Sequence, residues 1–396
     1  MDSAYRSPSG PWAAAQPPLN VLITSLTLRY RMGVELYVRD LAIGLQRRGH
    51  SPVVYTPEPG PVGWELESRG IPVVTKLRQI RGRPDIIHGN QQRELLGALL
   101  YFRSAPGIFV CHSHTSWGSS PPAHPRIRRY LGVSQVCIQR LHGEGAPPEL
   151  TLLSLNSVDT KRFLPRRPLP ERPRRALVFS NYAGEATQLP AIREACRMLD
   201  IELDVVGLVS GNPVERPEEI LPGYDLVFAK AKAAMEAMAV GAAVVLCDFA
   251  GVGPMVTTAN FDQLRPMNFG HQTLTDPLEA KVLAERVSSY DAADATAVRD
   301  LIRDQAATDN TIDSIIALYK EVMAERDRRL YVEGVPPDEA SWRYRLAVAR
   351  DYFPERVFLS WLALDPKMRD SLALVPVLAP VKTRVARLIL GPRSRR

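Results

Sequence analysis

From Leu19 onward the chain alternates two kinds of apolar pattern. Short and nearly continuous apolar runs, NVLITS, SPVVYT, IPVVTK, PDIIHGN, GIFVCHSH and RYLGVS, read as strands buried on both faces, because a half-exposed strand would alternate apolar and polar positions. Between them lie stretches with helical spacing. GVELYVRDLAIGLQRRG is an amphipathic helix stopped by Gly49, and RELLGALLYF is another. This succession predicts parallel strands joined by crossover helices. The proline- and arginine-rich stretch LTLLSLNSVDTKRFLPRRPLPERPRR breaks the pattern and reads as an interdomain linker. A second series follows, with RALVFS, IELDVVG, YDLVFA and AVVLCD as strands and LPAIREACRMLD and AAMEAMAVG as helices. Helices then continue from Asp276 to about Arg329.

The expected organisation is a disordered leader at 1–18, a first α/β domain at 19–155, a linker at 156–175, a second at 176–329, and a helical extension with a basic tail at 330–396. Two Rossmann-like sheets facing each other make a cleft, and such sheets bind ligands at the carboxyl ends of their strands. A chain of 396 residues exceeds one ordinary core, in keeping with two domains.

Composition narrows the function classes. No run of about twenty apolar residues occurs, so no spanning helix is expected. MDSAYRSPSGPWAAAQPP lacks the apolar segment of a secretory signal, and a cytoplasmic protein is expected. Cys111, Cys137, Cys196 and Cys247 stand far apart, unlike a zinc site or a disulfide framework, and are expected to be reduced core residues. The net charge of +7 comes largely from arginine. No aromatic RNA platform, finger or recognition helix accompanies it, so nucleic acid is not an expected partner, whereas anionic lipid or a phosphorylated substrate is. In VLAPVKTRVARLILGPRSRR, helical spacing puts Val381, Val385, Leu388 and Ile389 beside Lys382, Arg384 and Arg387. One reading is peripheral contact with the inner face of a membrane, the other is packing across the first domain.

One carboxylate stands out. Glu236 lies among Ala233, Ala234, Ala237, Met238 and Ala239, and an unpaired acid in apolar surroundings is costly. It needs a partner, either a nearby Arg or Lys or a ligand.

GVELYVRDLAIGLQRRGHSPVVYT, PDIIHGN, FVCHSH, LNSVDTKRFLP and YDLVFAKAKAAMEAMAVGAAVVLCD, in this order, resemble the successive landmarks of retaining GT-B glycosyltransferases of the glycogen-synthase-like group, a family 4-like pattern covering roughly Leu19 to Arg329. The resemblance implies a GT-B fold, with an acceptor domain followed by a donor domain. It implies transfer of a hexosyl-type sugar from a UDP- or GDP-type nucleotide sugar to a glycan or lipid-linked acceptor, with retention and without cofactor or metal. No Asp-x-Asp run is present, consistent with that.

In that family the acid matching Glu236 accepts from both ribose hydroxyls, which suits one carboxylate and a vicinal diol. His112 matches a strand-end histidine beside the transferred sugar, with His114 as competitor and His50 and His88 read as structural. Gly33 opens the turn before the first helix, and Arg29 and Arg31 in LTLRYRMG suit a phosphorylated acceptor or a merely exposed loop. Gly251 and Gly253 match a loop bordering the donor, and beyond it Asn260, Arg265 and Asn268 are cleft candidates. The chain also departs from the pattern. Phe228 stands eight residues before Glu236, where the family has another acid. FSNYAGEATQ lacks the usual phosphate-neutralising Arg and Lys, leaving Ser180 and Asn181, with Lys230 and Lys232 as substitutes at a helix N-terminus. Two rivals follow: a nucleotide-sugar epimerase, which would need further acids, and a non-catalytic GT-B module in a polysaccharide-assembly complex.

Overall fold

A computed structural model describes residues 17–331 apart from position 167. Most of the expected leader, together with the helical extension and its basic tail, lies outside the described residues.

The first sheet is built from β1 (Asn20–Thr24), β2 (Ser51–Tyr55), β3 (Val73–Val74), β4 (Ile86–Gly89), β5 (Gly107–Cys111), β6 (Ile127–Gly132) and β7 (Thr151–Leu153). Their spatial order is β3-β2-β1-β4-β5-β6-β7, and all pairs are parallel. β4 and β5 are buried along their whole length, which accounts for apolar runs that do not alternate. α1 (Gly33–Arg47), α2 (Pro61–Ser68), α3 (Gln92–Tyr101) and α4 (Gln135–Gly143) supply the crossovers. The stretch read as the start of the linker contributes β7, because Thr151–Leu153 extend the sheet edge beside β6.

The second sheet has the order β12-β11-β10-β8-β9, with β8 (Arg175–Phe179), β9 (Glu202–Val206), β10 (Leu226–Ala229), β11 (Ala243–Asp248) and β12 (Gly251–Met255). Only β12 runs antiparallel to its neighbour among these described strands. α5 (Leu189–Met198), α7 (Ala231–Val240), α9 (Ala280–Val287) and α10 (Ala292–Gln305) cover its faces, while the short α6 (Pro217–Ile220) and α8 (Phe261–Leu264) sit in connections. A single residue, Lys230, joins β10 to α7.

The expectation that the second domain runs to 329 is corrected by α11 (Thr308–Tyr331). Ile312, Ile315, Ile316, Tyr319 and Val322 recur at helical spacing and are buried in the core of the first domain, beside Val38, Leu41 and Leu45 of α1. α1 alone leaves an apolar face of the first sheet open, and α11 closes it. The chain therefore crosses between domains twice, and the two crossings are hydrogen-bonded: Val158 N donates to Ala306 O at 2.8 Å and Thr308 N to Val158 O at 3.0 Å. Arg129 donates to Glu321 and Glu325, fixing the outer turns of α11.

Gly207 closes the turn after β9. A Cβ there would stand 1.9 Å from the Ser180 carbonyl oxygen, so the backbones at 180 and 207 touch only because no side chain intervenes. Gly207→Ala is expected to destabilise by at least about 2 kcal/mol, read as a lower urea midpoint at unchanged m-value. The four cysteines are free and buried. Among the described residues no helix is long and apolar enough to cross a membrane.

Candidate functional site

The carboxyl ends of both sheets meet at one cleft. From the first domain, β1 leads into α1, whose first residue is Gly33. Nothing lies within 4 Å of where its Cβ would be, and the helix has no side-chain N-cap. Among the described residues the amides of Gly33 and Val34 have no acceptor, while the Glu35 carboxyl leans on its own amide. Gly33, Tyr37 and Asp40 of α1 share a small cavity with Lys232 of the second domain.

His112 follows β5 directly. Its Nε2 lies 2.8 Å from Asn90 Oδ1, and Asn90 Nδ2 is already spent on the Thr24 carbonyl at 2.9 Å. Asn90 therefore accepts, Nε2 carries the proton, and Nδ1 is left as the free acceptor. Tyr37 packs edge-on against the same ring at 4.7 Å between centroids. Burial pulls the His112 imidazole down to about 3, so the ring is neutral. An NMR titration should record no His112 transition anywhere between about pH 5 and pH 8. His88 is held by two phenols, with Tyr37 on Nε2 at 3.1 Å and Tyr319 of α11 on Nδ1 at 2.8 Å. It is a structural residue, as is His50, whose Nδ1 accepts from the Leu19 amide at 3.1 Å.

Glu236 lies on α7, only 4% exposed. Among the described residues no hydrogen bond or salt bridge reaches it; burial raises its carboxyl, opposed by the nearby charges of Lys232, Arg39 and Arg162. Lys232, one turn earlier, is committed elsewhere. Its Nζ bonds Asp40 Oδ2 of α1 at 2.6 Å and the Ser157 carbonyl at 3.3 Å. Burial alone would raise Asp40, yet Lys232 and Arg39 outweigh it and hold its carboxyl at about 2. The pair is thus a charged bridge between domains. Arg39 is itself only 3% exposed, and its Nη1 has no hydrogen-bond partner among the described residues.

Lys230 pairs with the fully buried Asp248 at the end of β11. Its ammonium also stands 5.6 Å from the Tyr182 ring centre and 5.7 Å from that of Phe249, two rings that meet edge-on at 6.0 Å. Tyr182 is 41% exposed and Phe249 52%, and the charge of Glu35 from the first domain reaches Tyr182. The backbone beside it is strained: Ala231, Asn268 and Phe269 have φ of +50°, +58° and +49°, and the Ala231 amide donates to Phe269 O at 2.8 Å.

Residues 32–162 match the family model Glycosyltransferase Family 4. Among solved structures, HepE of Anabaena in complex with UDP and glucose superposes with TM-score 0.58 at 16% identity, over 76% of this chain and 99% of that one. The chain has a GT-B fold. A glycosyltransferase of Rickettsia africae gives TM-score 0.58 at 14% identity, covering 77% of this chain and 99% of its own. Sucrose-phosphate synthase of Thermosynechococcus elongatus gives 0.52 at 13%, covering 78% and 100%. No curated protein matches the chain. At such identities the likeness establishes the fold alone.

The GT-B cleft gathers Gly33, His112, Lys230 and Lys232, with Glu236 buried behind Lys232. Ser180 and Asn181 follow β8, where the Ser180 hydroxyl accepts from the Tyr182 amide at 3.2 Å and the Asn181 carbonyl from the Val209 amide at 3.3 Å. The loop expected at Gly251 and Gly253 is instead strand β12. Side chains there would collide with the Asp276 and Thr273 carbonyls at 2.7 and 2.5 Å, so these glycines serve the packing of the sheet edge. Asn260 is used locally, donating to Met255 O and accepting from Thr257 N, both at 2.9 Å. Buried Arg265 donates to the Asn156 carbonyl at 2.8 Å, and Asn268 occupies the left-handed turn already described. Arg29 is exposed, and Arg31 pairs with Glu65 at 2.9 Å along a groove of about 810 Å³ between the domains. Sequence reasoning missed Asp40, Asp248, Glu35 and His271. Glu35, buried in the first turn of α1, acts electrostatically on Tyr182, and His271 stacks on His114 across the cleft. Only Asp248, an acid at a strand end, carried a local signal.

Proposed function

We propose that the protein transfers a sugar from a nucleotide-sugar donor to a glycan or lipid-linked acceptor, with retention at the sugar carbon and without a metal. The observation that carries this reading is Glu236, a buried carboxylate with no hydrogen-bond donor among the described residues, on the helix that follows β10 in the GT-B cleft. A ribose diol supplies the two donors such a carboxylate lacks. Support also comes from relatives of the same fold, since HepE was solved with UDP-glucose.

In this reading Glu236 holds the ribose. The amides of Gly33 and Val34 at the α1 N-terminus, and the turn at Ser180 and Asn181, face the diphosphate. His112 stands at the reacting sugar, where its neutral Nδ1 accepts from a hydroxyl. Retention follows from attack on the face from which the phosphate leaves, the departing phosphate oxygen taking the acceptor's proton, so no carboxylate base is required. Arg29 and Arg31 lie beside the acceptor's entry, on the loop before α1. The donor base, UDP or GDP in type, is read by calorimetry and thermal unfolding with UDP, GDP and ADP. A nucleotide at about a hundred times its dissociation constant should add roughly 2.7 kcal/mol to stability. Stabilisation by none of the three would remove the reading. A second reading, a nucleotide-binding module without turnover, is favoured by Phe228, which stands eight residues before Glu236 where the resembled family has an acid and is buried in the core of the second domain. Release of free sugar or glycan product from the bound donor separates the two.

A further inference from the structure

The missing phosphate cations raise a question that rests on the reading above. Of the two lysines at the start of α7, Lys230 is paired with Asp248 and Lys232 with Asp40, so neither arrives at the diphosphate as an uncompensated charge. The turn after β8 offers a hydroxyl and amides alone. Some other group has to meet the leaving diphosphate.

His114 and His271 stand where such a group is needed. One comes from the loop after β5 in the first domain, the other from the second domain just before Leu274, and their rings face each other across the cleft at 5.9 Å between centroids, tilted by 23°. Neither ring nitrogen of either residue has a hydrogen-bond partner among the described residues, whereas His88 is held at both nitrogens and His112 at Nε2. The charges that act on His114 are His271, Arg140 and Lys230, all of one sign. Of these, Arg140 of α4 is spent on the loop that carries His114, donating to the carbonyls of Ser113 and Ser116 at 2.8 and 2.7 Å, and Lys230 has Asp248. The partly buried His114 ring thus lies among basic side chains, with the exposed His271 ring stacked on it. Burial first, then these cations, lower the His114 imidazole, leaving a neutral ring that gains a proton when an anion enters.

We propose that His114 and His271 form a two-domain clamp for the donor's diphosphate, each imidazole donating one N–H to a phosphate oxygen and together drawing the domains shut. The clamp takes the place of a fixed Arg and Lys. Unlike them it takes up a proton at His114 as it binds, so affinity for the diphosphate depends on pH.

The test is calorimetric titration of the full chain with UDP-glucose and GDP-mannose, whose diphosphates have no proton to lose near neutrality, and with uridine and guanosine as phosphate-free controls. For whichever nucleotide sugar binds, affinity should rise about tenfold from pH 8 to pH 6 with measurable proton uptake, while its nucleoside changes little. His114→Gln and His271→Gln should each flatten that slope and weaken the nucleotide sugar, leaving the nucleoside as in wild type. A pH-independent affinity, or variants that keep the wild-type slope, would overturn the clamp while leaving the ribose site standing. Failure of every nucleotide sugar and nucleoside to bind would overturn both.

Discussion

Replacing Glu236 by glutamine should raise the melting temperature of the ligand-free protein while roughly halving its response to nucleotide. The sign follows from the carboxyl's surroundings. Burial outweighs the attraction of Lys232, Arg39 and Arg162, so the folded state holds this proton more tightly than the unfolded chain does. Stability from such a group is greatest below the unfolded value of 4.5 and falls as pH climbs toward the raised folded value. Near pH 7 the ionised side chain is therefore a cost, and an isosteric neutral amide recovers roughly 1 kcal/mol. The amide keeps one acceptor oxygen of two, so a diol binds it about tenfold less well. Differential scanning calorimetry with and without the binding nucleotide reads both effects. A ligand-free variant that melts lower than wild type would mean that Glu236 is a structural partner of the cations at the domain interface, and the donor reading would lose its support.

Tyr319→Ala should destabilise the protein by about 4 kcal/mol, the largest stability effect expected from a single substitution here. The side chain is fully buried in the first domain's core although the chain reaches it through the second domain. Its hydroxyl also holds His88, whose other nitrogen meets Tyr37, which in turn packs on His112. Tyr319→Phe keeps the ring and removes only the hydrogen bond, at about 1 kcal/mol. The gap between the two variants in urea unfolding separates packing from hydrogen bonding. Equal losses would show that the hydroxyl, not the ring, anchors α11.

What could be read from the sequence depended on whether the partner of a residue lies nearby along the chain. The buried strands announced themselves because a strand covered on both faces has no polar alternation, and Glu236 because an acid among alanines has no local reason to be there. Lys232 looked free because its partner, Asp40, comes from 192 residues earlier and from the other domain. Lys230 looked free because Asp248 is delivered by a neighbouring strand. The glycines at 251 and 253 signalled close backbone approach correctly, but composition does not say whether the neighbour is a ligand or the carbonyls of residues 273 and 276. The periodicity of α11 was legible, whereas its destination was not: an apolar stripe records that something must cover it, without naming which sheet.

The return of α11 to the first domain also has a meaning in time. A growing chain completes β1 to β7 and their helices early, yet the apolar face that awaits Ile312, Ile315 and Tyr319 stays open until the entire second sheet has been made. Domains folding in order of synthesis would leave the earlier one as an unfinished body with a greasy seam, prone to stick to its neighbours on a crowded polysome. Maturation of the whole molecule is then gated by the arrival of one distal helix, and a chain interrupted before that point would be cleared rather than survive as a half-working lobe.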